Sequence, residues 1–189
     1  MERMKYDASR STYSATLRRS LCVLFLGLML LVTACGASGE QEEPDMSEQN
    51  ITITSTDLID GVWNEEITNT KYGSNVSPQL SWNAVDGASC YAVVMVDPDG
   101  FNWLHWIETD IKSNDLPQGF SANDRYIGPY PPGGTHHYKV YVFALKGSLP
   151  VSSAKFNRGG NDIMRISDEL SQSDNCLGWG MIDGTYTAR

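Results

Sequence analysis

The strongest structural signal lies in the middle of the chain, where residues 91–107 read YAVVMVDPDGFNWLHWI. The first six residues, Tyr91–Val96, form a nearly continuous apolar or β-branched run, which is typical of a strand covered on both faces of a sheet. The next four, Asp97-Pro98-Asp99-Gly100, are residue types that a tight turn prefers. Leu104–Ile107 then predicts a returning strand. This stretch therefore predicts a buried strand, a turn and a second strand.

Further strand signals flank this stretch. Tyr138–Leu145 is a second run of the same kind, and we expect it to lie with Tyr91–Val96 at the centre of the sheet. Ile51–Thr56 alternates apolar and polar side chains, the pattern of a half-buried strand, and Trp179–Tyr186 predicts one more strand. A helical pattern covers Asn161–Gln172. The predicted fold class is mostly β, with one or two small peripheral helices.

Length, composition and charge limit the classes of function. The chain has 189 residues, of which 41% are hydrophobic and 20% charged, so it contains one ordinary globular domain. Its formal net charge is -9. Nucleic acid is excluded as a partner, because binding the phosphate backbone requires a basic surface.

The first 34 residues have the order of a secretory signal. Arg18 and Arg19 precede the apolar run Leu21–Val32, whose twelve residues would make a helix of about 18 Å. That length is short of the roughly 30 Å of a bilayer core, so we expect residues 1–34 to be a signal peptide. The alternatives are a short transmembrane anchor and a signal peptide that carries no lipidation site.

Cys35 indicates which class of signal peptide this is. The sequence Leu31-Val32-Thr33-Ala34-Cys35 resembles the lipobox of bacterial lipoproteins, in which the cysteine is acylated and becomes the new N-terminus. We therefore expect lipidation of Cys35 and attachment to the extracytoplasmic face of the cell membrane. The following residues, to position 50, are acidic and lack aromatic side chains, so residues 35–50 are predicted to be a flexible tether and residues 51–189 the folded domain.

The charge of the predicted mature chain favours a lipid anchor over electrostatic attachment. Residues 1–34 hold five of the 14 basic and two of the 23 acidic residues, so their removal leaves a formal charge of -12. An anionic bilayer repels such a surface, whereas two acyl chains give stable anchoring.

Two cysteines remain in the predicted domain, Cys90 and Cys176. In an exported protein they can pair as a disulfide. Alternatively, each is a small buried apolar residue at the start of a strand.

Histidine is scarce, and all three histidines lie beside other unusual sequence. His105 follows the Asp97–Gly100 turn by a few residues, and His136 and His137 close the stretch GPYPPGGT at residues 128–135. Local chemistry alone favours structural roles, namely a hairpin turn and a rigid polyproline loop that leads into a strand.

Taken together, these stretches resemble the signature regions of the phosphatidylethanolamine-binding protein family, and most closely its bacterial branch, the Raf kinase inhibitor-like proteins. Five ordered motifs carry the resemblance across nearly all of residues 51–189. They are Asn75-Val76-Ser77-Pro78-Gln79-Leu80-Ser81-Trp82, Asp97-Pro98-Asp99, His105-Trp106, Gly128-Pro129-Tyr130-Pro131-Pro132 and His136-His137-Tyr138.

The resemblance implies a compact β fold with a small anion-accepting pocket at the strand ends. It implies a non-catalytic binding protein without a cofactor, whose ligand is a small anion or a zwitterion such as phosphoethanolamine. Imidazole groups can donate hydrogen bonds to the phosphate, and a carboxylate can accept from the ammonium. The ligand-binding residues carried over by motif are Asp97, Asp99, His105, Gly128, Pro129, Pro131, His136 and Tyr138.

The chain also departs from the family pattern. Only Gly100–Trp103 separates Asp-Pro-Asp from His-Trp, which predicts a tighter or more hydrophobic rim with Phe101 and Trp103 beside it. His137 stands where eukaryotic members often have arginine, so kinase inhibition is not carried over.

Three other functions fit the same residues. The first alternative is a protein-interaction module that inhibits or scaffolds an envelope protein such as a protease, kinase or sensor. The second is an enzyme that uses Asp and His for acid–base chemistry. The third is a metal site built from Asp97, Asp99, His105 and His136, since carboxylate and imidazole groups suit Zn or Mn.

Overall fold

A computed structural model describes residues 49–121, 124–148, 157–160, 166, 170–171 and 174–189, all within the unit Glu42–Arg189. The predicted signal peptide and most of the predicted tether lie outside these residues. Within the described part, no helix has the length and hydrophobicity to cross a membrane. The described strands are β1 (Ile53–Thr54), β2 (Leu58–Ile59), β3 (Val62–Trp63), β4 (Leu80–Trp82), β5 (Cys90–Asp97), β6 (Trp103–Ile111), β7 (Asp115–Leu116), β8 (Thr135–Leu145) and β9 (Cys176–Thr187), with a 3-10 helix at Glu65–Ile67.

The strands form two sheets. The larger has the order β2-β3-β9-β8-β5-β6, and the smaller has the order β1-β4-β7. Strands β5 and β8 pair antiparallel from Cys90↔Leu145 to Val96↔Lys139, inside the larger sheet. All eight residues of β5 are buried. The prediction of a mostly β fold with these two runs at the sheet centre is therefore confirmed.

Successive side chains of β5 point to opposite faces of the sheet, and each face packs into a separate hydrophobic core. Tyr91, Val93 and Met95 face the smaller sheet and pack in one cluster with Leu80 and Trp82 of β4. On the opposite face of the sheet, the alternate β5 side chains pack in a second cluster. A strand that contributes to both cores must be apolar throughout, which explains its continuous apolar run.

The second core includes part of the predicted helix. Ile166 and Leu170, which the sequence places on one helical face, are buried in this core. Ile166, Leu170 and Ser171 are helical, and the other residues of Asn161–Gln172 lie outside the described part of the chain.

The N-terminal strand is shorter than predicted, although its alternation is correct. Ile51 and Ile53 are buried and Thr52 and Thr54 are exposed, yet only Ile53–Thr54 forms a strand. Beyond Thr54, the Thr56 amide donates to the Gln79 side chain (2.9 Å), which replaces the ladder hydrogen bond of a longer strand.

The disulfide considered for Cys90 and Cys176 does not form in this fold. Both thiols are free and buried. Cys90 pairs with Leu145 on one side of β8, and Cys176 pairs with Leu145 on the other. Two strand spacings of about 4.8 Å separate the cysteines, which exceeds the Cα distance that a disulfide spans. The alternative interpretation as buried small residues at strand starts describes both positions.

Candidate functional site

The motif residues converge at one edge of the larger sheet. Strand β5 ends at Asp97, which pairs with Trp103 at the start of β6, and β8 begins nearby at Thr135. Antiparallel pairing thus brings the end of one strand and the starts of two others together. A cavity of about 360 Å³ opens there. Its described lining residues are Asn69, Asp97, Gly100, Trp103, His105, Ile127, Gly128, Tyr130, Pro132, His136 and Asn157.

A buried carboxylate and an imidazole form the polar part of the lining. Asp97 Oδ2 lies 2.7 Å from His136 Nδ1. The other carboxylate oxygen, Oδ1, accepts a hydrogen bond from the Gly100 amide at 2.6 Å. Because a carboxylate accepts, the His136 proton lies on Nδ1, and Nε2 remains for the cavity.

His105 is held differently. Its Nδ1 lies 2.7 Å from the Ile127 carbonyl oxygen, which can only accept, so Nδ1 carries the proton. The backbone is fixed by a return hydrogen bond from the Ile127 amide to the His105 carbonyl (2.8 Å). Burial lowers the pKa of His105, with the Asp97 charge acting in the opposite direction. His105 is therefore a neutral ring whose Nε2 is an acceptor.

Tyr138 lies between the two histidines rather than in the cavity wall. Its ring meets His105 edge to face at 5.2 Å and stacks on His136 at 6.5 Å. Burial, with the nearby Asp97 charge, raises the pKa of Tyr138 well above its ordinary range, so the phenol stays protonated. The hydroxyl is buried close to the Asp97 carboxylate and the Tyr130 backbone. Tyr138 thus acts as a packing element that positions both imidazole rings.

The Gly128–Pro132 loop forms one wall of the cavity, and it does so through alternate residues. Gly128, Tyr130 and Pro132 line the cavity, whereas Pro129 and Pro131 do not. An extended chain turns successive residues to opposite sides, which explains this division. The Pro129 carbonyl accepts from the Asn69 amide at 3.1 Å, and Pro131 lines a neighbouring groove. The two prolines named from sequence are therefore loop supports.

Asp99 is also a support rather than a lining residue. Its Oδ2 accepts from the His137 amide at 2.8 Å, which ties the loop after β5 to the start of β8. The His137 ring lies against Asp183, 3.2 Å away, outside the cavity lining. Of the sequence-predicted residues, the structure thus brings Asp97, His105, Gly128 and His136 to the cavity, with Tyr138 behind them.

Sequence reasoning missed several lining residues, among them two asparagines, and one support. Trp103 is not among the missed residues, since the sequence placed it at the rim; it lines the cavity and donates through Nε1 to Asn157 Oδ1 at 3.0 Å. Asn69 and Asn157 have no local sequence signal, because each comes from an irregular segment. Asn75 did carry a signal, since it opens the first motif. Its side chain accepts from the Gly128 amide at 2.8 Å and so fixes the loop.

The chemistry of the described lining residues is that of hydrogen bonding. They include two imidazoles, one carboxylate and two amides, and none of them is Ser, Thr, Cys, Lys or Arg. In the part of the chain that the structure covers, no group of three or more His, Cys, Asp or Glu side chains is arranged to hold a metal ion. The geometry therefore does not support the alternative of a metal site.

Curated relatives show sequence similarity over different lengths. The chain is 28% identical to the UPF0098 protein Rv1910c of Mycobacterium tuberculosis, over 71% of this chain and 82% of that protein. It is 36% identical to a UPF0098 protein of Methanothermobacter thermautotrophicus over 94 residues, which cover 39% of this chain and 62% of that relative. This chain therefore covers about three fifths of the length of the Methanothermobacter relative.

Solved structures show the same fold. Escherichia coli YbcL, described as a member of the mammalian PEBP family, matches with a TM-score of 0.58 at 22% identity, over 74% of this chain and 99% of that one. The PEBP homologue CT736 of Chlamydia trachomatis matches with a TM-score of 0.57 at 20% identity, over 75% and 100%. The profile of the phosphatidylethanolamine-binding protein family matches residues 50–186. With that match, over most of the sequence, the chain belongs to the phosphatidylethanolamine-binding protein family.

Proposed function

We propose that this chain is a binding protein whose cavity holds a small anion or a zwitterionic phosphate ester, such as phosphate or a phosphoethanolamine-like headgroup, without transforming it. The observation that carries the proposal is the 2.7 Å contact between Asp97 and His136 in the cavity. This contact occupies Nδ1 of His136, a residue of the cavity lining, so Nε2 is the ring nitrogen that a ligand oxygen could contact. When His136 is cationic, Nε2–H donates a charge-assisted hydrogen bond to that oxygen.

Charge balance in the cavity predicts modest affinity. No Lys or Arg is among the described lining residues, and Asp97 contributes a negative charge. An imidazolium is therefore the one positive charge that the described lining can offer to an anion. Phosphate is expected to bind more weakly here than in a site with an arginine or lysine.

The composition of the lining supports binding rather than covalent catalysis. The described lining residues offer no hydroxyl, thiol or amine nucleophile apart from the Tyr130 phenol, which is largely exposed to solvent. The buried Tyr138 phenol stays protonated because burial raises its pKa.

The direct test compares His136→Ala with His137→Ala in the full chain. His136→Ala is expected to weaken binding of phosphate and phosphoethanolamine at least about tenfold, because it removes a charged donor. His137→Ala is the matched control, since its ring contacts Asp183 outside the cavity lining. Titration calorimetry or NMR measures both affinities. Equal affinities in the two variants, or no binding by the unaltered protein, would count against the proposal.

The proposal includes a lipid anchor at Cys35, which would place the cavity on the extracytoplasmic face of the membrane. Its support is the sequence Leu31–Cys35 after an apolar run of twelve residues. Cys35→Ala is expected to move the protein from the membrane fraction to the soluble fraction, because the acyl chains supply the membrane affinity. Fractionation followed by immunoblotting measures this. Retention of the variant in the membrane fraction would contradict acylation as the anchor.

A second candidate function is recognition of an envelope protein by the surface around the cavity mouth. The observation that favours it is the exposure of two aromatic side chains, Phe101 (75%) and Tyr130 (65%), with Trp103 close by. Exposed aromatic residues are common in protein interfaces. His136→Ala separates the two functions, because it would remove phosphate binding and leave this aromatic surface unchanged.

A further inference from the structure

We infer that His105 makes the site selective for ligands that donate a proton as well as accept one, so that a phosphomonoester bearing a P–OH group binds and a phosphodiester is rejected. The inference rests on the proposed function and narrows its ligand class. A free phosphate ester would fit the cavity, whereas the phosphodiester headgroup of an intact glycerophospholipid would not.

The position of the His105 proton carries the inference. Nδ1 lies 2.7 Å from the Ile127 carbonyl oxygen, and a carbonyl cannot donate. The strand pairing holds that carbonyl in place, through the Ile127 amide on His105 (2.8 Å) and the bridge between Trp106 and Tyr126. Rotating the ring would break the bond to Ile127 and leave a buried acceptor unpaired. Nε2 is therefore the ring nitrogen without a proton, and His105 lines the cavity.

The charged and titratable groups around His105 keep this arrangement. Asp97 approaches from β5, and His136 and Tyr138 approach from β8. Both carboxylate oxygens of Asp97 already accept hydrogen bonds, Oδ2 from His136 and Oδ1 from the Gly100 amide. Burial has the largest effect on the pKa of His105 and lowers it, while the Ile127 and Gly128 backbone and the Asp97 charge raise it and His136 lowers it. The net shift is downward, which favours the neutral His105 ring.

The two imidazoles thus present opposite hydrogen-bonding roles to one ligand. Cationic His136 donates through Nε2, and neutral His105 accepts through Nε2. A phosphomonoester monoanion matches both, because its oxygens accept from His136 and its P–OH donates to His105. A phosphodiester has only acceptor oxygens, so it would place an oxygen lone pair against the Nε2 lone pair of His105.

The test uses methyl phosphate and dimethyl phosphate. Neither has the ammonium group of phosphoethanolamine, which would add a second hydrogen-bond donor to the ligand. The second ionisation of a phosphomonoester has a pKa of about 6, so at about pH 5.5 both probes carry close to one negative charge. They then differ in the P–OH group. The full chain is expected to bind methyl phosphate at least about tenfold more tightly than dimethyl phosphate, because the diester leaves a buried acceptor unpaired.

Each outcome of this titration is decisive. Equal or tighter binding of dimethyl phosphate would overturn the inference while leaving the proposed function in place. If neither probe nor inorganic phosphate binds, both the proposed function and the inference fail. His105→Phe, which removes the acceptor, is expected to reduce the preference for methyl phosphate to about onefold in a variant that remains folded.

A measurement on the unaltered protein keeps the inference testable if His105→Phe does not fold. Long-range proton–nitrogen NMR distinguishes the two neutral tautomers of histidine from the cation. We expect the neutral His105 ring to carry its proton on Nδ1, to become cationic only at a lower pH than an ordinary histidine, and to show a shift of its Nε2 signal when methyl phosphate is added. A neutral ring with its proton on Nε2, or protonation of His105 at a higher pH than an ordinary histidine, would contradict the inference.

Discussion

Replacing Asp97 with asparagine is expected to weaken phosphate binding about tenfold, because His136 loses the carboxylate that supports a charge-assisted hydrogen bond to the ligand. The asparagine carbonyl can still accept from the Gly100 amide, which Asp97 Oδ1 now does at 2.6 Å. The asparagine NH2 group would then face His136 Nδ1 and donate to it. The His136 proton would move to Nε2, so the ring would remain a donor to the ligand, but through a neutral hydrogen bond rather than a charge-assisted one.

The matched control is Asp99→Asn, which removes the same charge from the same loop. Asp99 does not line the cavity, and its Oδ2 accepts from the His137 amide. Phosphate affinity measured by calorimetry at one fixed pH should be nearly unchanged in this variant. Equal losses in both variants would indicate a long-range charge effect, and an unchanged affinity in Asp97→Asn would show that the contact between Asp97 and His136 does not govern binding.

The elements that sequence predicts best are those whose burial imposes a regular pattern. Strands β5 and β8 lie inside the sheet, so their side chains must be apolar over long runs. Strands β2 and β3 have two residues each, too few for any periodicity. Their hairpin does have a local signal in Asp60-Gly61, where both residues have positive φ values of 50° and 77°. A turn signal predicts a hairpin reliably only when long strand patterns flank it, and here each flanking strand has two residues.

Within the site, sequence predicts the residues that regular strands position. Asp97 ends β5, His105 lies in β6 and His136 lies in β8, so strand pairing alone brings these three together. Asn69 and Asn157 reach the cavity from irregular segments, whose course is set by tertiary packing. The roles of the two rings also depend on tertiary contacts, because a carboxylate holds one Nδ1 and a backbone carbonyl holds the other.

Gly128→Ala is expected to destabilise the fold by about 3 kcal/mol, because the new methyl group would overlap backbone atoms. A Cβ at this position would overlap the Ile67 carbonyl oxygen and lie 2.8 Å from the Asn69 nitrogen. Neither group can easily move. Tyr126 donates to the same Ile67 carbonyl at 2.8 Å, and the Asn69 amide donates to the carbonyl of Pro129 at 3.1 Å.

The control for this prediction lies in the same loop. Gly133→Ala would place its methyl group in open space, with nothing within 4 Å, so its stability should change by less than about 0.5 kcal/mol. Denaturant unfolding of the full chain measures both free energies. Gly128→Ala should also weaken phosphate binding, because displacing Gly128 shifts the adjacent Ile127 carbonyl that fixes the His105 tautomer. Equal stability of the two variants would show that the loop relaxes freely, and the site would then owe its geometry to the strands alone.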